Sequence, residues 1–361
     1  MVALLGRRDQ PTDAVQEYCQ YLGSALHARG GDEIEIARVP WTEMGWAAAL
    51  RELRQQAVAW QGEWVLVQYT ALGWSGRGFP WRLVRVLEIL RDAGARVAVI
   101  FHDVEPYSGR RLVDRLRRAS QLRTMRGALI LADIGIFTVA LHAISWLGAP
   151  PSNARFIPVG ANLLPQPSAS ENFSANREHG LCVSVFGITG GLTGERECRQ
   201  IVAAMSFAAE KLGRVRLHAF GRGVIECEGE LRDGLRGTAV DVSIDGVLPV
   251  ERVAEALSAA DVMLFVREPI SSRRGSAIAG ISCGLPVICY GGKQTAEPVT
   301  EAGIVLVSSG NIEELGDALV RVLGDDKYRA RLASRSRVAY REHFSWGAIA
   351  ARYLAVLGEL T

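Results

Sequence analysis

The segment from residue 240 to 307 constrains the fold of this 361-residue chain more than any other part. Short apolar runs alternate in it with helical stretches. One apolar run, at 262–266, ends in a polar turn at 271–276, and a helix of small residues follows. Gly284 and Pro286 stop that helix, and the next apolar run begins directly after them. This order predicts a βαβ unit of a parallel sheet.

The polar turn has the chemistry of an anion site. A helix start presents unpaired backbone N–H groups and a partial positive charge, and here Arg273, Arg274 and Gly275 stand among serines. Ligands of open α/β sheets bind at the carboxyl ends of strands, where this turn is predicted to lie. One interpretation is therefore a phosphate or diphosphate site, and the other is a Ser N-cap beside two solvated arginines.

Strand and helix alternate along the whole chain in two series. The first series predicts strands at 2–5, 33–39, 64–69, 96–101 and 134–139, with helices at 13–29, 50–60, 81–93 and 109–131. The second begins with a strand at 181–186, a helix at 198–212 and a strand at 215–220. Residues 165–180, rich in Pro, Ser and Asn, read as a linker. We predict an α/β protein of two Rossmann-like doubly wound domains that face each other across a cleft.

Composition narrows the class of protein. The 41 basic and 39 acidic residues nearly balance, which argues against a protein that wraps nucleic acid. The six cysteines lack C-x-x-C spacing and predict reduced thiols in a cytoplasmic protein, with disulfides or zinc as the minor alternative. We expect no secretion signal and, since no uncharged apolar stretch reaches about 18 residues, no membrane span.

Several polar residues follow predicted strands of the first domain. His102 and Asp103 come directly after the apolar run at 96–101, where a ligand contact and a structural histidine are the two interpretations. Arg7 and Arg8 follow the first strand and bring positive charge to the same end of the sheet. Tyr69 ends another strand, and core packing explains it as well as an acceptor pocket does.

Residues 110–126 hold seven arginines and one acid, Asp114. A solvated helix face is one explanation of such a run. The alternative is an anionic membrane surface, because leucines interleave the arginines and Trp74 and Trp81 are near in sequence. The arginines assigned to this contact are Arg110, Arg111, Arg115, Arg117 and Arg118.

In the order and spacing of its motifs, the chain resembles the glycosyltransferases of the GT-B fold, specifically family 4, also called group 1. The second half carries this resemblance through Gly-Val-Leu-Pro at 246–249, Gly-Leu-Pro-Val at 284–287, Glu-Pro-Val at 297–299 and Phe-Ser-Trp at 344–346. In the first half, Phe-His-Asp at 101–103 and Phe-Ile-Pro-Val-Gly at 156–160 look like the strand ends of the family's acceptor domain.

The resemblance implies a domain plan and a reaction. Residues 1–165 form the acceptor domain, 166–180 the linker, 181–343 the donor domain, and 344–361 a helix that packs back towards the first domain. The reaction is a retaining transfer of a sugar from a nucleotide-sugar donor, in which charge builds on the leaving diphosphate. Asp241 and Asp245 are four apart rather than an Asp-x-Asp pair, so we expect no metal ion and no other cofactor.

The resemblance, together with the polar residues at the strand ends and at the turn, leads to a set of expected site residues. Catalytic contacts are expected from His102, Asp103 and Glu268. Donor contacts are expected from Arg273, Arg274, Gly275, Ser272, Ser276, Glu297, Arg222, Arg196 and Gly187. Arg7, Arg8 and Tyr69 are assigned to the acceptor side and its loop.

The chain departs from the family pattern at two places. Ser271 and Ala279 stand where the family carries two glutamates, and Glu268 lies three residues before the first of these positions. The family's Arg and Lys on the first loop of the donor domain are missing from 187–194. We hypothesise that Arg273 and Arg274 took over the diphosphate.

The predicted function is transfer of a hexose-type sugar to a glycan or polyprenyl-linked acceptor in envelope polysaccharide assembly. The predicted location is the cytoplasm, with possible peripheral contact on the inner face of the membrane. A catalytically silent GT-B scaffold that regulates a glycosyltransferase complex is the main alternative. A GT-B epimerase would need more carboxylates, and a dinucleotide oxidoreductase would need G-x-G-x-x-G after the first strand, where Gly6-Arg7-Arg8-Asp9 stands.

Overall fold

The computed structural model describes residues 1–9, 13–31, 33–163 and 180–359. These residues form two compact units. Unit 1 is Met1–Pro158 together with the segment that begins at Trp346, and unit 2 is Val159–Ser345. Except for Gly180, the predicted linker lies outside the described residues.

The described residues contain twelve strands and eleven α-helices. The strands are β1 Val2–Leu5, β2 Glu35–Arg38, β3 Trp64–Tyr69, β4 Arg96–Phe101, β5 Ile134–Phe137, β6 Ala154–Phe156, β7 Leu181–Phe186, β8 Val215–Phe220, β9 Val240–Ile244, β10 Val262–Phe265, β11 Val287–Tyr290 and β12 Ile304–Val307. The helices are α1 Ala14–His27, α2 Trp41–Ala57, α3 Leu83–Asp92, α4 Leu112–Leu131, α5 Gly191–Leu212, α6 Glu228–Gly234, α7 Val250–Ser258, α8 Gly275–Ser282, α9 Ile312–Gly324, α10 Asp326–Ala339 and α11 Trp346–Gly358.

Each unit is built on one parallel sheet of six strands. The strand order is β2-β1-β3-β4-β5-β6 in unit 1 and β12-β11-β10-β7-β8-β9 in unit 2. Strands such as β4 are apolar on both faces because helices cover both sides of a parallel sheet. The order reverses between β1 and β3 and between β7 and β10, and such a reversal is where doubly wound sheets bind ligands. The predicted α/β class with two Rossmann-like doubly wound domains is confirmed.

Helix α11 is part of the core of unit 1. The hydroxyls of Tyr18 on α1 and Tyr353 on α11 lie 2.8 Å apart in a buried hydrogen bond. Trp346 meets the ring of Tyr18 edge-on at 5.1 Å and stacks on Tyr21 at 5.6 Å. The last helix therefore completes the fold of the first unit after the chain has formed the second.

Helix α8 lies close against the sheet of unit 2. A Cβ atom added to Gly280 would stand 2.4 Å from the sulfur of Met263 on β10 and 3.5 Å from a methyl of Val287 on β11. Ala277 and Ala279 are buried with it. The small residues of α8 thus allow the close approach that its sequence predicts, and the turn before α8 is held at the end of β10.

Two helices begin earlier than the sequence predicts. Helix α2 starts at Trp41 rather than near residue 50, although Gly45, at φ 76°, kinks it. Helix α5 starts at Gly191 rather than near Cys198, because Gly194 serves close packing rather than a flexible loop. A Cβ atom there would lie 1.9 Å from the carbonyl oxygen of Thr189.

Candidate functional site

The reversal point of the unit 2 sheet brings two loops together. Gly187, directly after β7, has φ 82° and donates its N–H to the Phe220 carbonyl at 2.8 Å. Arg267 follows β10, and its Nη1 atom is 3.2 Å from the position that a Cβ atom on Gly187 would take. The guanidinium of Arg267 therefore lies against the backbone of the loop that follows β7.

Three arginines share the end of β10. Nη2 of Arg274 forms an ion pair with Oε2 of Glu268, and Nε of Arg273 lies 3.5 Å from Oε1 of Gln294. Arg274 is the N-cap residue of α8, and its side chain makes no capping hydrogen bond to the helix. The alternative of a Ser N-cap is therefore wrong, and the first N–H groups of α8 lie directly beside the two arginines of the turn.

The electrostatics of this group favour an anion. Burial and the positive charges of Arg273 and Arg267 lower the pKa of Arg274. The nearby Glu268 carboxylate raises it, but the net result is a pKa lowered to about 10. The Nε atoms of Arg267 and Arg274 are buried and have no hydrogen-bond partner among the described residues. Three cations and one carboxylate leave a net positive charge that a diphosphate can neutralise.

The serines of the turn contribute less than the sequence predicts. Ser272 is buried, at 2% exposure, and its carbonyl accepts from the Val159 N–H at 3.0 Å. Ser276 is half-buried on the first turn of α8 and Gly275 is exposed. The accessible polar groups of this turn are consequently the guanidinium groups, the Ser276 hydroxyl and the helix start.

The other predicted donor residues lie on separate segments of unit 2. Arg222 is exposed, and its carbonyl accepts from the Ile188 N–H at 2.9 Å, which places it beside the Gly187 loop. Arg196 is exposed near the start of α5. Glu297 is exposed and precedes a cis proline, Pro298.

Neither aspartate of the spaced pair stands alone. Asp241 accepts from Nε of Arg214 at 2.7 Å, and Oδ2 of Asp245 lies 2.8 Å from Nε2 of His218. Asp241 is thus paired with the arginine that precedes β8, and Asp245 is hydrogen-bonded to a histidine on β8.

Unit 1 has a cavity of about 230 Å³ at the reversal point of its own sheet. The residues around it come from the carboxyl ends of β1, β3 and β4 and from the start of α1: Leu5, Gly6, Arg7, Asp9, Asp13, Ala14, Val15, Gln68, Thr70, Leu72, Gly73 and Asp103. Carboxylates, an amide and a hydroxyl in one cavity can accept and donate hydrogen bonds to a polyol.

Gln68 connects this cavity to His102. Oε1 of Gln68 lies 2.8 Å from Nε2 of His102, whose ring meets Tyr18 edge-on at 5.0 Å. Oδ2 of Asp103 accepts from the Ala71 N–H at 2.7 Å. Asp103 lines the cavity, whereas His102 contacts Gln68, which lines it. Sequence reasoning missed Gln68 because it looks like one more residue of a buried strand.

Two residues assigned to the acceptor side lie elsewhere. Tyr69 is 1% exposed within the hydrophobic core of unit 1, and burial raises the pKa of its hydroxyl. Its assignment is therefore corrected: strand alternation turns Tyr69 into the core and Gln68 and Thr70 towards the cavity. Arg8 is exposed beside the cavity rather than in its lining, whereas Arg7 lines it.

The arginine-rich helix α4 carries its charge outward. Arg110, Arg111, Arg115 and Arg118 are exposed, and so are Leu112 at 77% and Leu116 at 67%. Asp114 is buried and accepts a hydrogen bond from Nη1 of Arg117 at 3.0 Å. Because its charge is paired there, it does not offset the exposed arginines, and the outward face of α4 is cationic. None of the described helices has both the length and the apolar character needed to cross a bilayer.

Two parallel Rossmann-like sheets, each with polar groups at its reversal point, define a protein of the GT-B class. Residues 184–325, all within unit 2, match the family model described as "Glycosyl transferases group 1". This match confirms the predicted resemblance to the group 1 glycosyltransferases and, with it, the prediction of a glycosyltransferase. The curated proteins include no match to the chain.

Solved structures share the fold over nearly the full length. Sucrose-phosphate synthase from Thermosynechococcus elongatus is 19% identical with a TM-score of 0.69, covering 99% of this chain and 98% of that one. Anabaena HepE in complex with UDP-glucose is 15% identical with a TM-score of 0.64, covering 99% and 100%. WaaG, a glycosyltransferase involved in lipopolysaccharide biosynthesis, is 15% identical with a TM-score of 0.65, also covering 99% and 100%.

Proposed function

We propose that this glycosyltransferase moves a hexose-type sugar from a nucleotide-sugar donor to a glycan or polyprenyl-linked acceptor, with retention of configuration and without a metal ion. The observation that carries the proposal is the group of Arg267, Arg273 and Arg274 at the reversal point of the unit 2 sheet. HepE has been solved with UDP-glucose, which supports a nucleotide sugar as the donor class.

In the donor half, the guanidinium groups and the open start of α8 bind the diphosphate. Negative charge grows on the diphosphate as the glycosyl bond breaks, so groups already fixed around it lower the barrier. Two Nε–H groups that lack partners among the described residues gain hydrogen bonds when the diphosphate arrives. These cations take the part that a divalent ion plays in metal-dependent transferases.

Glu268 has two roles in the proposal, one before the donor binds and one after. Its carboxylate holds Arg274 in the donor-free protein, and a diphosphate that pairs with Arg274 releases it. The freed carboxylate can then accept hydrogen bonds from the sugar hydroxyls of the donor. This exchange substitutes for the family glutamates that Ser271 and Ala279 replace.

In the acceptor half, the cavity of unit 1 binds the hydroxyl-rich end of a glycan. Asp103 lines the cavity, and in this proposal it accepts a hydrogen bond from the attacking hydroxyl, while Gln68 and His102 fix each other. The proposed setting is envelope polysaccharide assembly in the cytoplasm, with the outward face of α4 on the inner membrane leaflet.

Calorimetric titration of the full chain with UDP, GDP, ADP and their glucose conjugates tests the donor site. We expect one nucleotide to bind, and R273A/R274A to weaken it about 100-fold or more, since each charge-assisted hydrogen bond contributes about 1.5–3 kcal/mol. Arg236→Ala, which removes an exposed arginine paired with Asp233 in the same unit, is the control and should leave the affinity unchanged.

Equal affinity in R273A/R274A and in the parent chain would remove the arginine group from donor binding. The absence of heat with every nucleotide would instead favour the silent scaffold. The loss of the two family glutamates motivates that alternative, so the titration separates the two functions directly.

A further inference from the structure

A second cluster of chemically active side chains lies in unit 2 away from the β10 turn. Cys198 on α5, Cys227 at the end of the short 3-10 turn Ile225–Cys227, and Glu230 on α6 each present a ligand atom, and these atoms lie within 4.8 Å of one another. The reaction proposed above uses none of the three. The cluster therefore needs an explanation of its own.

The three ligands come from elements that the core of unit 2 holds in place. Cys227 and Glu230 are three residues apart on consecutive helical turns, a spacing that puts both side chains on one face. Cys198 comes from α5, which packs against α6. Both thiols are buried, at 0% and 7% exposure, while Glu230 is exposed and opens the cluster to solvent. An ion could thus enter from the Glu230 side.

The surroundings of the cluster are negative. The carboxylates of Glu230, Glu197 and Glu226 lie near enough to the Cys227 thiol to act on it through their charge. Glu197 is itself buried at 2% exposure. One of its carboxylate oxygens accepts from the Thr189 N–H at 2.8 Å, and the other has no hydrogen-bond partner among the described residues. A buried carboxylate with an unsatisfied oxygen beside two thiols favours a nearby cation.

We propose that Cys198, Cys227 and Glu230 bind one zinc-type divalent ion, with water as the fourth ligand. Thiolate sulfur and carboxylate oxygen are ligands of Zn²⁺ at about 2.3 Å and about 2.0–2.2 Å, so tetrahedral ligand atoms stand roughly 3.5 Å apart. The three side chains need only a small contraction from their present spacing. Binding replaces the two thiol protons, which leave to solvent.

The position of this ion points to a structural role. The Cys227 sulfur is 3.5 Å from the place of a Cβ atom on Gly194, and that atom would touch the carbonyl of Thr189. An ion at the cluster therefore ties the start of α5 to α6 directly behind the loop that follows β7. It is separate from the diphosphate, whose binding remains assigned to arginines.

Metal analysis of the full chain tests the site. The reduced protein is stripped with a chelator, titrated with Zn²⁺ or Co²⁺ and passed through gel filtration before its metal content is measured. We expect one equivalent of metal, a raised melting temperature, and near-ultraviolet sulfur-to-cobalt charge-transfer bands. C198A/C227A should lose the bands and the stoichiometric metal, and E230Q should weaken binding roughly tenfold or more.

Cys283→Ala, which removes a half-buried thiol elsewhere in unit 2, is the control and should bind metal as the parent chain does. Because Cys198 is fully buried, the double variant can fail to fold, and the exposed Glu230 then provides the independent test. Three results would overturn the proposal: no stoichiometric metal, cobalt bound without charge-transfer bands, or a Cys198–Cys227 disulfide in the intact mass of the purified protein.

Discussion

A single carboxylate, Asp13, joins the first loop of unit 1 to α1 and β2. It accepts from the Gln16 N–H at 3.1 Å as the N-cap of α1 and from Nη2 of Arg38 at 2.7 Å. Burial alone would raise its pKa, but the hydrogen bonds and the charge of Arg38 outweigh burial and lower the pKa below the ordinary 3.8. Asp13 also lines the cavity, so its charge acts on whatever binds at the proposed acceptor site.

Asp13→Asn should destabilise unit 1 by about 1 kcal/mol at neutral pH, since the amide keeps the cap acceptor but loses the ion pair. A lowered folded pKa means that the carboxylate stabilises the fold above its unfolded pKa and that this contribution is lost as the pH falls through the folded value. Urea unfolding should therefore show the difference between parent and variant shrinking below pH 3.8. A difference that stays constant with pH would contradict the ion-pair assignment.

Single residues also mark the limits of prediction from sequence. Arg273, Arg274 and Gly275 were predicted at the donor turn because their polar run interrupts an apolar pattern. Arg267 escaped notice because it directly extends the strand, although a cation at the carboxyl end of a strand was a usable signal. The pairing of Arg274 with Glu268 depends on side-chain packing, which no local pattern encodes.

At the scale of elements, α1 and α11 are joined by one buried polar contact. The hydroxyls of Tyr18 and Tyr353 satisfy each other, and burial raises the pKa of both. Removing one hydroxyl leaves the other buried without its hydrogen-bond partner, whereas removing both leaves an apolar contact of the same shape.

Tyr18→Phe and Tyr353→Phe should each cost about 1–3 kcal/mol of unfolding free energy, and the double variant clearly less than the sum. Chemical denaturation of the parent chain, the two single variants and the double variant measures this double-mutant cycle. Tyr21→Phe, a half-buried neighbour on α1 that also stacks on Trp346, should be nearly neutral. Additive losses would show that the two hydroxyls do not depend on each other.

Most elements were predicted from their periodicity. Strands β3, β4, β7 and β8 have the predicted bounds, because most residues of a central parallel strand are apolar and buried. The start of α5 was missed because glycines at 190, 191 and 194 read as a loop, whereas Gly194 is there to let the helix approach Thr189. Close packing of the backbone depends on the tertiary structure. The sequence shows a glycine, but not which part of the chain that glycine packs against.

At the scale of the whole molecule, the outward face of α4 should bind anionic bilayers. We expect the full chain to sediment with vesicles containing phosphatidylglycerol, because each basic residue near the membrane surface contributes about 1 kcal/mol. The bound fraction should fall as the salt concentration rises, because salt screens this attraction. R115A/R118A should bind more weakly, with Arg236→Ala in unit 2 as the control. Equal binding to neutral vesicles, or none to anionic ones, would leave α4 as an ordinary solvated face.

All eight tryptophans belong to unit 1, at positions 41, 46, 60, 64, 74, 81, 146 and 346. Their fluorescence therefore follows the unfolding of that unit alone. A chain truncated after Ser345 loses α11, so its tryptophan transition should move to lower denaturant while the nucleotide affinity of unit 2 is kept. An unchanged tryptophan transition would contradict the placement of α11 in the core of unit 1.

The split of unit 1 along the chain sets an order of events during synthesis. The ribosome makes the first six strands early, but α11 emerges only after every residue of unit 2. Unit 2 is continuous, so it can fold while the earlier half still exposes the apolar side of α1 that Trp346 and Tyr353 will cover. The first half to be translated is thus the last to be finished, and the apolar side of α1 stays uncovered until the last helix has been made.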